Sequence, residues 1–243
     1  DTLVSVDVSA CVSLRRIGDG MFSFQHSLHA LVLPPGLEEI GDSALRFCST
    51  LASVDLKTCT SLRRIGNGAL CALHSLPSLV FPAGLKEIGT RVLCCCKSLV
   101  TLDFGACASL RRINDVSLID LSSLVSLVLP PNLEVIGECV LCKCTSLVTI
   151  DFQRCVSLRR IGAHSLTDCD SLTTLVFPAG LEDVGDGVLR RCGNLVAADF
   201  SACISLRRIG DASLADCDSL TTLVLPAALK DIGCDVPLSV RKI

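Results

Sequence analysis

The sequence predicts an α/β repeat solenoid: a right-handed coil with one parallel sheet face and about ten rungs that alternate between 23 and 25 residues. Three observations carry this. An L-x-x-I-G step or a close variant recurs, its leucine falling at Leu14, Leu37, Leu62, Leu85, Leu110, Leu133, Leu158, Leu181, Leu206 and Leu229. An L-x-x-L-x-L/F stretch comes before each step, opening at Leu3, Leu28, Leu51, Leu76, Leu99, Leu124, Leu147, Leu172, Leu195 and Leu220. Proline ends every second stretch, at Pro34, Pro82, Pro130, Pro178 and Pro226, so the full period is a double repeat of 48 residues.

Each element of a rung follows from its residues. The L-x-x-L-x-L/F stretch is rich in Leu, Val and Thr and nearly alternates, which predicts a strand. Proline lacks an N–H and ends the pairing there. The L-x-x-I step continues extended, and its glycine permits a tight turn. Asp19, Asp42, Asn67, Asp186 and Asp211 come next and suit the cap of a short helical turn, such as the one expected from Ser43 to Cys48. No rung buries its leucine face alone. Stacking closes a continuous core, and parallel crossovers of this kind wind to the right. At about 4.8 Å per strand, ten rungs span roughly 50 Å.

Bulk composition sets bounds on partners. Half of the residues are apolar, but there are only eight Phe and no Tyr or Trp, which predicts an aliphatic core of Leu, Val, Ile and Cys. The net charge of −3 gives no reason to expect nucleic acid or an anionic membrane surface as a partner. The apolar residues come in short clusters, whereas a spanning helix needs about 20 in a row, so no membrane insertion is expected. Seventeen cysteines is an odd number. Recurrence at fixed rung positions makes them core slots and points to a reduced, intracellular setting.

The unit running from Leu172 to Cys192 reads L-x-x-L-x-F-P-x-x-L-x-x-V-G-x-x-x-L-x-x-C. It resembles the BspA-like class of leucine-rich repeats, and the resemblance covers nearly the whole chain. The class has a Phe in the turn where this chain mostly has Leu (Leu45, Leu70, Leu93, Leu141, Leu189), and alternate rungs replace Pro with Asp-Phe-x-x-Cys or a variant of it. The resemblance implies a surface or secreted adhesion or interaction protein, the opposite of the setting that the cysteines point to.

Three ladders carry candidate chemistry. Arg15-Arg16, Arg63-Arg64, Arg111-Arg112, Arg159-Arg160 and Arg207-Arg208 alternate with Glu38-Glu39, Lys86-Glu87, Glu134, Glu182-Asp183 and Lys230-Asp231. Alternation in sign favours pairing across rungs over an anion-binding stripe. Asp7, Asp55, Asp103, Asp151 and Asp199 alternate with valines near the strand ends, so carboxylates about 10 Å apart line the exposed sheet face. That is too wide for two of them to share a Ca²⁺ or to act as an acid–base pair. A stripe for a basic partner and a guard against aggregation both remain open. Cys94-Cys95-Cys96 and Cys139-x-x-Cys142-x-Cys144 lack the two separated ligand pairs of a zinc site. The histidines form no ladder, and no nucleophile, metalloprotease or phosphate-loop motif occurs.

The expectation is therefore a single leucine-rich-repeat solenoid domain over residues 1–243, part of a longer array. It would act as a protein-binding or scaffolding module, not an enzyme, with no catalytic, cofactor or metal site. The candidate partner face comprises Asp55, Asp103, Asp151, Asp199, Thr101, Thr149, Thr173, Thr174, Val176, Thr221 and Thr222. The alternative is a cell-surface adhesion or structural array protein that assembles end to end. The strand motif at Leu3 and the degraded step at Val236-Pro237-Leu238 show no polar cap, so self-association through the solenoid ends belongs to that alternative.

Overall fold

The computed structural model of the chain describes residues 2–237. Leu238, which closes the degraded last step, lies outside them. Each rung but the one opening at Leu147 brings two short extended segments into parallel stacks; that one brings only its L-x-x-I step. The strands of the first stack form three sheets of three: Ser5–Asp7, Ala30–Val32 and Ser53–Val54; Ser78–Val80, Thr101–Asp103 and Ser126–Val128; Thr174–Val176, Ala197–Asp199 and Thr222–Val224. The second stack is built from the L-x-x-I steps. It has a four-stranded sheet from Arg16–Ile17 to Glu87–Ile88 and a six-stranded sheet from Arg112–Ile113 to Asp231–Ile232. Ser5 lies opposite Ala30 and Ala30 opposite Ser53, so equivalent residues sit above one another.

The single sheet face expected from sequence is thus two parallel stacks, and the L-x-x-I stack is the less interrupted. Its continuity comes from glycine. Gly41, Gly66, Gly137 and Gly162 donate their N–H to Ile17, Ile40, Ile113 and Ile136 of the preceding rung at 2.7–2.9 Å. The approach is so close that a Cβ on Gly66 would lie 2.5 Å from the Asp42 nitrogen, and one on Gly162 2.5 Å from the Gly137 carbonyl carbon.

Of the two breaks in the first stack, the one between Ser53–Val54 and Ser78–Val80 falls where a donor is missing. Val100, Val125 and Val196 each donate to the preceding rung at 2.8–2.9 Å, and Pro77 occupies the same position with no N–H to give. The strands on either side of this gap, Ser53–Val54 and Ser78–Val80, belong to different sheets.

The α in the expected α/β class needs correction: among the described residues there is no helix. The segment expected to be a short helical turn is a pleated turn in which alternate residues take positive φ. In the second rung these are Ser43 (56°), Leu45 (59°) and Phe47 (60°). Their N–H groups reach outside the segment: Ser43 to Asn67 and Phe47 to Cys71 in the following rung, Leu45 to Met21 in the preceding one. A segment of about eight residues is too short to hold a helix on local bonds alone. Bonding to both neighbours offsets the cost of non-glycine residues in the left-handed region, about 1–2 kcal/mol each.

The core lies between these walls and is filled by the leucine and isoleucine columns, with Leu37, Leu62, Leu85, Ile40, Ile65 and Ile88 all fully buried. It is not purely aliphatic. Phe81 stacks on Phe104 at 4.5 Å, and Phe152, Phe177 and Phe200 form a second stack with centroids 5.6 and 4.1 Å apart. All five are buried at the end of the strand segment, and Leu33, Leu56 and Leu129 complete the same column. Chain-wide scarcity of aromatics hid their concentration in one slot.

Candidate binding face

The first stack presents its outer face to solvent. Strand alternation buries Leu102, Leu127 and Leu175 and turns their neighbours outward. Asp55, Asp151, Thr101, Thr149, Thr173, Thr174, Val176 and Thr221 are exposed there, and Asp103, Asp199 and Thr222 half-buried. All the sequence-derived face residues therefore share one surface. Thr149 and Asp151 do so in the rung that forms no strand in this stack.

The aspartates are also bound into the backbone. Asp7, Asp55, Asp103, Asp151 and Asp199 each accept the N–H two residues on, from Ser9, Lys57, Gly105, Gln153 and Ser201, at 2.6–3.1 Å. Each carboxylate closes a local turn at the exit from the strand. The hydrogen bonds from Ser9 hold the Asp7 carboxyl below its ordinary value. Each carboxylate thus holds its turn, and this accounts for the period without a ligand.

Sequence reading passed over an apolar row beside them. Val100, Val125 and Val148, at the first outward position of three successive rungs, are 41%, 51% and 46% exposed. Val80, Val128 and Val176 are exposed beyond the intervening Thr101, Ser126 and Thr149, interleaved with Asp103 and Asp151. The position is legible as the first x of L-x-x-L, and the sequence placed Ala52, Thr173 and Thr221 there on the face without its valines.

The charged ladder lies along the second stack. Arg64 sits between Glu39 at 2.5 Å and Glu87 at 3.6 Å and reaches Asp42 at 3.8 Å. Arg208 repeats this with Asp183, Asp231 and Asp186 at 3.9, 3.8 and 2.6 Å. Val135 interrupts the row. Both arginines have raised pKa values, chiefly through hydrogen bonds to Glu39 and Asp186.

The Asp or Asn after each glycine caps no helix. It bridges rungs: Asp19 accepts the N–H of Asp42, Asp42 that of Asn67, Asn67 that of Thr90, and Asp186 that of Asp211, at 2.8–3.1 Å. Buried serines form a further column that sequence reading missed. Ser165 donates to the Gly137 carbonyl at 2.7 Å and accepts the Val140 N–H at 3.2 Å. Ser117 does the same with Gly89 and Val92.

Among the described residues no cysteine is in a disulfide. Most are buried, and their S–H groups donate to neighbouring rungs: Cys107 to Pro82 at 3.4 Å, Cys203 to Pro178 at 3.3 Å, Cys192 to Leu166 at 3.2 Å. Burial pushes the Cys107 thiol up to about 12 and the Cys203 thiol up to about 11. Cys94 points to Val116 of the following rung and Cys96 to Leu70 of the preceding one, so the run Cys94-Cys95-Cys96 does not converge. Among the described residues no three His, Cys, Asp or Glu side chains come together as metal ligands, and no helix is long and apolar enough to cross a membrane.

Two stacked parallel ladders around a leucine column define a leucine-rich-repeat β-solenoid of about ten turns. The chain belongs to the BspA type leucine rich repeat family, whose model matches residues 3–118 and 111–236. No curated protein matches the sequence significantly. Solved structures with a similar fold include a T. pallidum leucine rich repeat protein, 21% identical over 90% of this chain and 79% of that one, with a TM-score of 0.46. A leucine-rich repeat protein from Bacteroides ovatus is 21% identical over 95% of this chain and 74% of its own, with a TM-score of 0.46. A leucine rich cell surface protein from Faecalibacterium prausnitzii is 18% identical over 93% and 84%, with a TM-score of 0.45. These similarities concern the fold.

Proposed function

We propose that the chain is a non-catalytic protein-binding or scaffolding module that meets its partner across the face of the first stack. The observation that carries this is the exposed row Val100, Val125 and Val148 beside Asp103 and Asp151. A row of valines over three rungs, flanked by hydroxyls and carboxylates, suits an extended apolar segment with basic residues at its edge. Leucine-rich-repeat proteins generally bind proteins, and the long face of a solenoid is where such arrays do so. The reading takes the coil as right-handed, with rungs alternating 23 and 25 residues within one domain.

A photo-cross-linking residue placed at Thr101 or Thr149 tests it, with Glu134 on the second stack as the reference position. The expected result, in extract from the native source, is one discrete protein adduct from the face positions, lost in Val125→Asp. Equal labelling from Glu134, or an adduct indifferent to Val125→Asp, would defeat the reading.

A further inference from the structure

On the pleated-turn wall, away from the sheet face, a cavity of about 120 Å³ is lined by Arg46, Cys71, Arg91, Cys94 and Cys95. Cys71 and Cys94 occupy the same position in successive rungs, so their backbones are about 4.8 Å apart. That lies inside the Cα separation a disulfide accepts, about 4.4–6.8 Å. We propose that Cys71 and Cys94 are an oxidisable dithiol whose substrate is a small hydroperoxide, and whose product is a disulfide joining the two rungs.

The surroundings single out this pair. The Cys71 thiol donates to the Arg91 carbonyl at 2.7 Å and the Cys94 thiol to the Val116 carbonyl at 2.9 Å. When Cys71 ionises, the neighbouring Cys94 S–H has a sulfur to donate to. That hydrogen bond, together with Arg46 and Arg91, lowers the Cys71 thiol pKa against the opposing effect of burial, while Cys94 is driven upward. Arg46 is itself held with its guanidinium 4.8 Å from the Phe47 ring centroid. Arg46 holds the same position in the rung before Cys71, whereas Ile119 holds it in the rung after Cys94, so the cationic side of the pair is that of Cys71, the attacking thiolate, and Cys94 is the resolving thiol.

Other stacked thiols lack these features. Cys192 and Cys217 also share a position, and the Cys192 hydrogen bond likewise lowers the Cys217 thiol, but Cys192 is wholly buried, and Asp216 and Asp218 oppose a thiolate there where Arg46 and Arg91 favour one at Cys71. Cys169 is wholly buried too. Cys71 is almost as covered, at 6% exposed, but the cavity opens onto it and has room for a molecule the size of hydrogen peroxide.

The chemistry balances. The Cys71 thiolate attacks one peroxide oxygen; an S–O bond forms, the O–O bond breaks, and the departing alkoxide or hydroxide takes a proton to leave as alcohol or water. Cys94 then attacks the sulfenic sulfur; the S–S bond forms, the S–O bond breaks, and hydroxide leaves as water with the Cys94 proton. Two electrons pass from the thiols to the peroxide. The staple would fall between the rungs of Ser53–Val54 and Ser78–Val80, the two that Pro77 leaves unpaired on the sheet face. Oxidation would fasten the stack at its open joint.

The test treats the reduced full chain with one equivalent of hydrogen peroxide and maps the products by mass spectrometry. The expected result is a loss of two thiols and a Cys71–Cys94 disulfide. In Cys94→Ser, dimedone should trap a sulfenic acid on Cys71. Arg46→Ala with Arg91→Ala should slow trapping by up to about tenfold. A first disulfide at Cys192–Cys217, dimedone on other cysteines only, or a rate indifferent to the arginines would overturn the proposal. The serine and alanine changes lie at the rim of the stack, and unaltered circular dichroism shows that the variants keep their fold.

Discussion

The side-chain amide of Asn114 donates to the carbonyl oxygen of Ile88 at 2.7 Å, the bond that a glycine N–H makes in the neighbouring rungs. Asn114 stands where those rungs carry glycine, and the second stack divides here, between Glu87–Ile88 and Arg112–Ile113. A Cβ at this position meets the backbone of the rung below, so the two rungs cannot close to ladder distance. The amide replaces the bond but not the spacing.

Exchanging the two residue types should move the break. Gly162→Ala places a methyl 2.5 Å from the Gly137 carbonyl carbon. It should cost about 1–3 kcal/mol, the usual penalty for overpacking. Asn114→Gly should be near neutral in stability, since the regained ladder bonds offset the freer unfolded chain. It should slow hydrogen exchange at the backbone amide of position 114, the donor equivalent to the Gly137 N–H that reaches Ile113. Chemical denaturation and amide exchange check both, and equal stability of Gly162→Ala and wild type would remove glycine as the cause.

The buried serines give a sharper number. Ser165→Ala leaves the Val140 N–H and the Gly137 carbonyl without their side-chain partner in a buried site. An unsatisfied buried polar group costs about 1–3 kcal/mol. The chain already has alanine in this column at Ala44 and Ala69, so the loss is expected at Ser165 specifically. Urea denaturation midpoints compared with Ser157→Ala, a serine outside the column, measure it.

Arg64→Glu tests the charged ladder. The change replaces three pairs with three repulsions, but the arginine side chain is 38% exposed, so screening keeps the cost to about 1 kcal/mol at low salt. The melting temperature should fall, and the gap from wild type should narrow as salt rises. An unchanged melting temperature in dilute buffer would leave the alternation of charge without a stabilising role.

Acid should act through the bridging aspartates. The backbone bond from Asp42 holds the Asp19 carboxyl below its ordinary value, and the Arg208 hydrogen bond does so at Asp186. A folded pKa below the unfolded one means that the unfolded chain binds more protons. The stability gained is present above the ordinary carboxylate value of about 3.9 and is lost as pH falls through the folded value. Melting temperatures should be flat near neutrality and decline below about pH 4. Asp186→Asn should reduce that decline while keeping the rung-to-rung acceptor, as Asn67 does naturally for Thr90 at 2.9 Å.

Much of this was legible because period and burial coincide. The leucine steps, the outward Asp and Thr positions and the strand stretches other than the one at Leu147 lie where the spacing puts them, and the Leu147 stretch forms no strand. What spacing did not reveal is where backbone bonds go. The pleated turn from Ser43 to Cys48 contains residues that fit a helical turn locally, and only its bonds to the adjoining rungs decide otherwise. The bridging carboxylates look like helix caps for the same reason, since a cap and a bridge use the same short side chain. The Val100 row was visible in the sequence, but valine in a strand reads as core until its face is known.

Pro77 allows the first stack to be tested in the same way. Its place in the rung is one where Val100 and Val125 donate to the rung before, and its own missing N–H leaves the Ala52 carbonyl without that donor. Pro77→Val supplies the N–H. The new bond contributes about 0.5–1.5 kcal/mol, and the loss of proline rigidity in the unfolded chain removes about 0.4–1 kcal/mol. Global stability should therefore hardly move, which makes denaturation a poor readout. Hydrogen exchange is a good one: the amide introduced by Pro77→Val, and that of Ser78 beside it, should gain protection as two three-stranded sheets join. If those amides exchange as freely as in an exposed loop, the gap has a cause other than proline, and the staple inferred at Cys71 and Cys94 would not be closing a joint that proline opened.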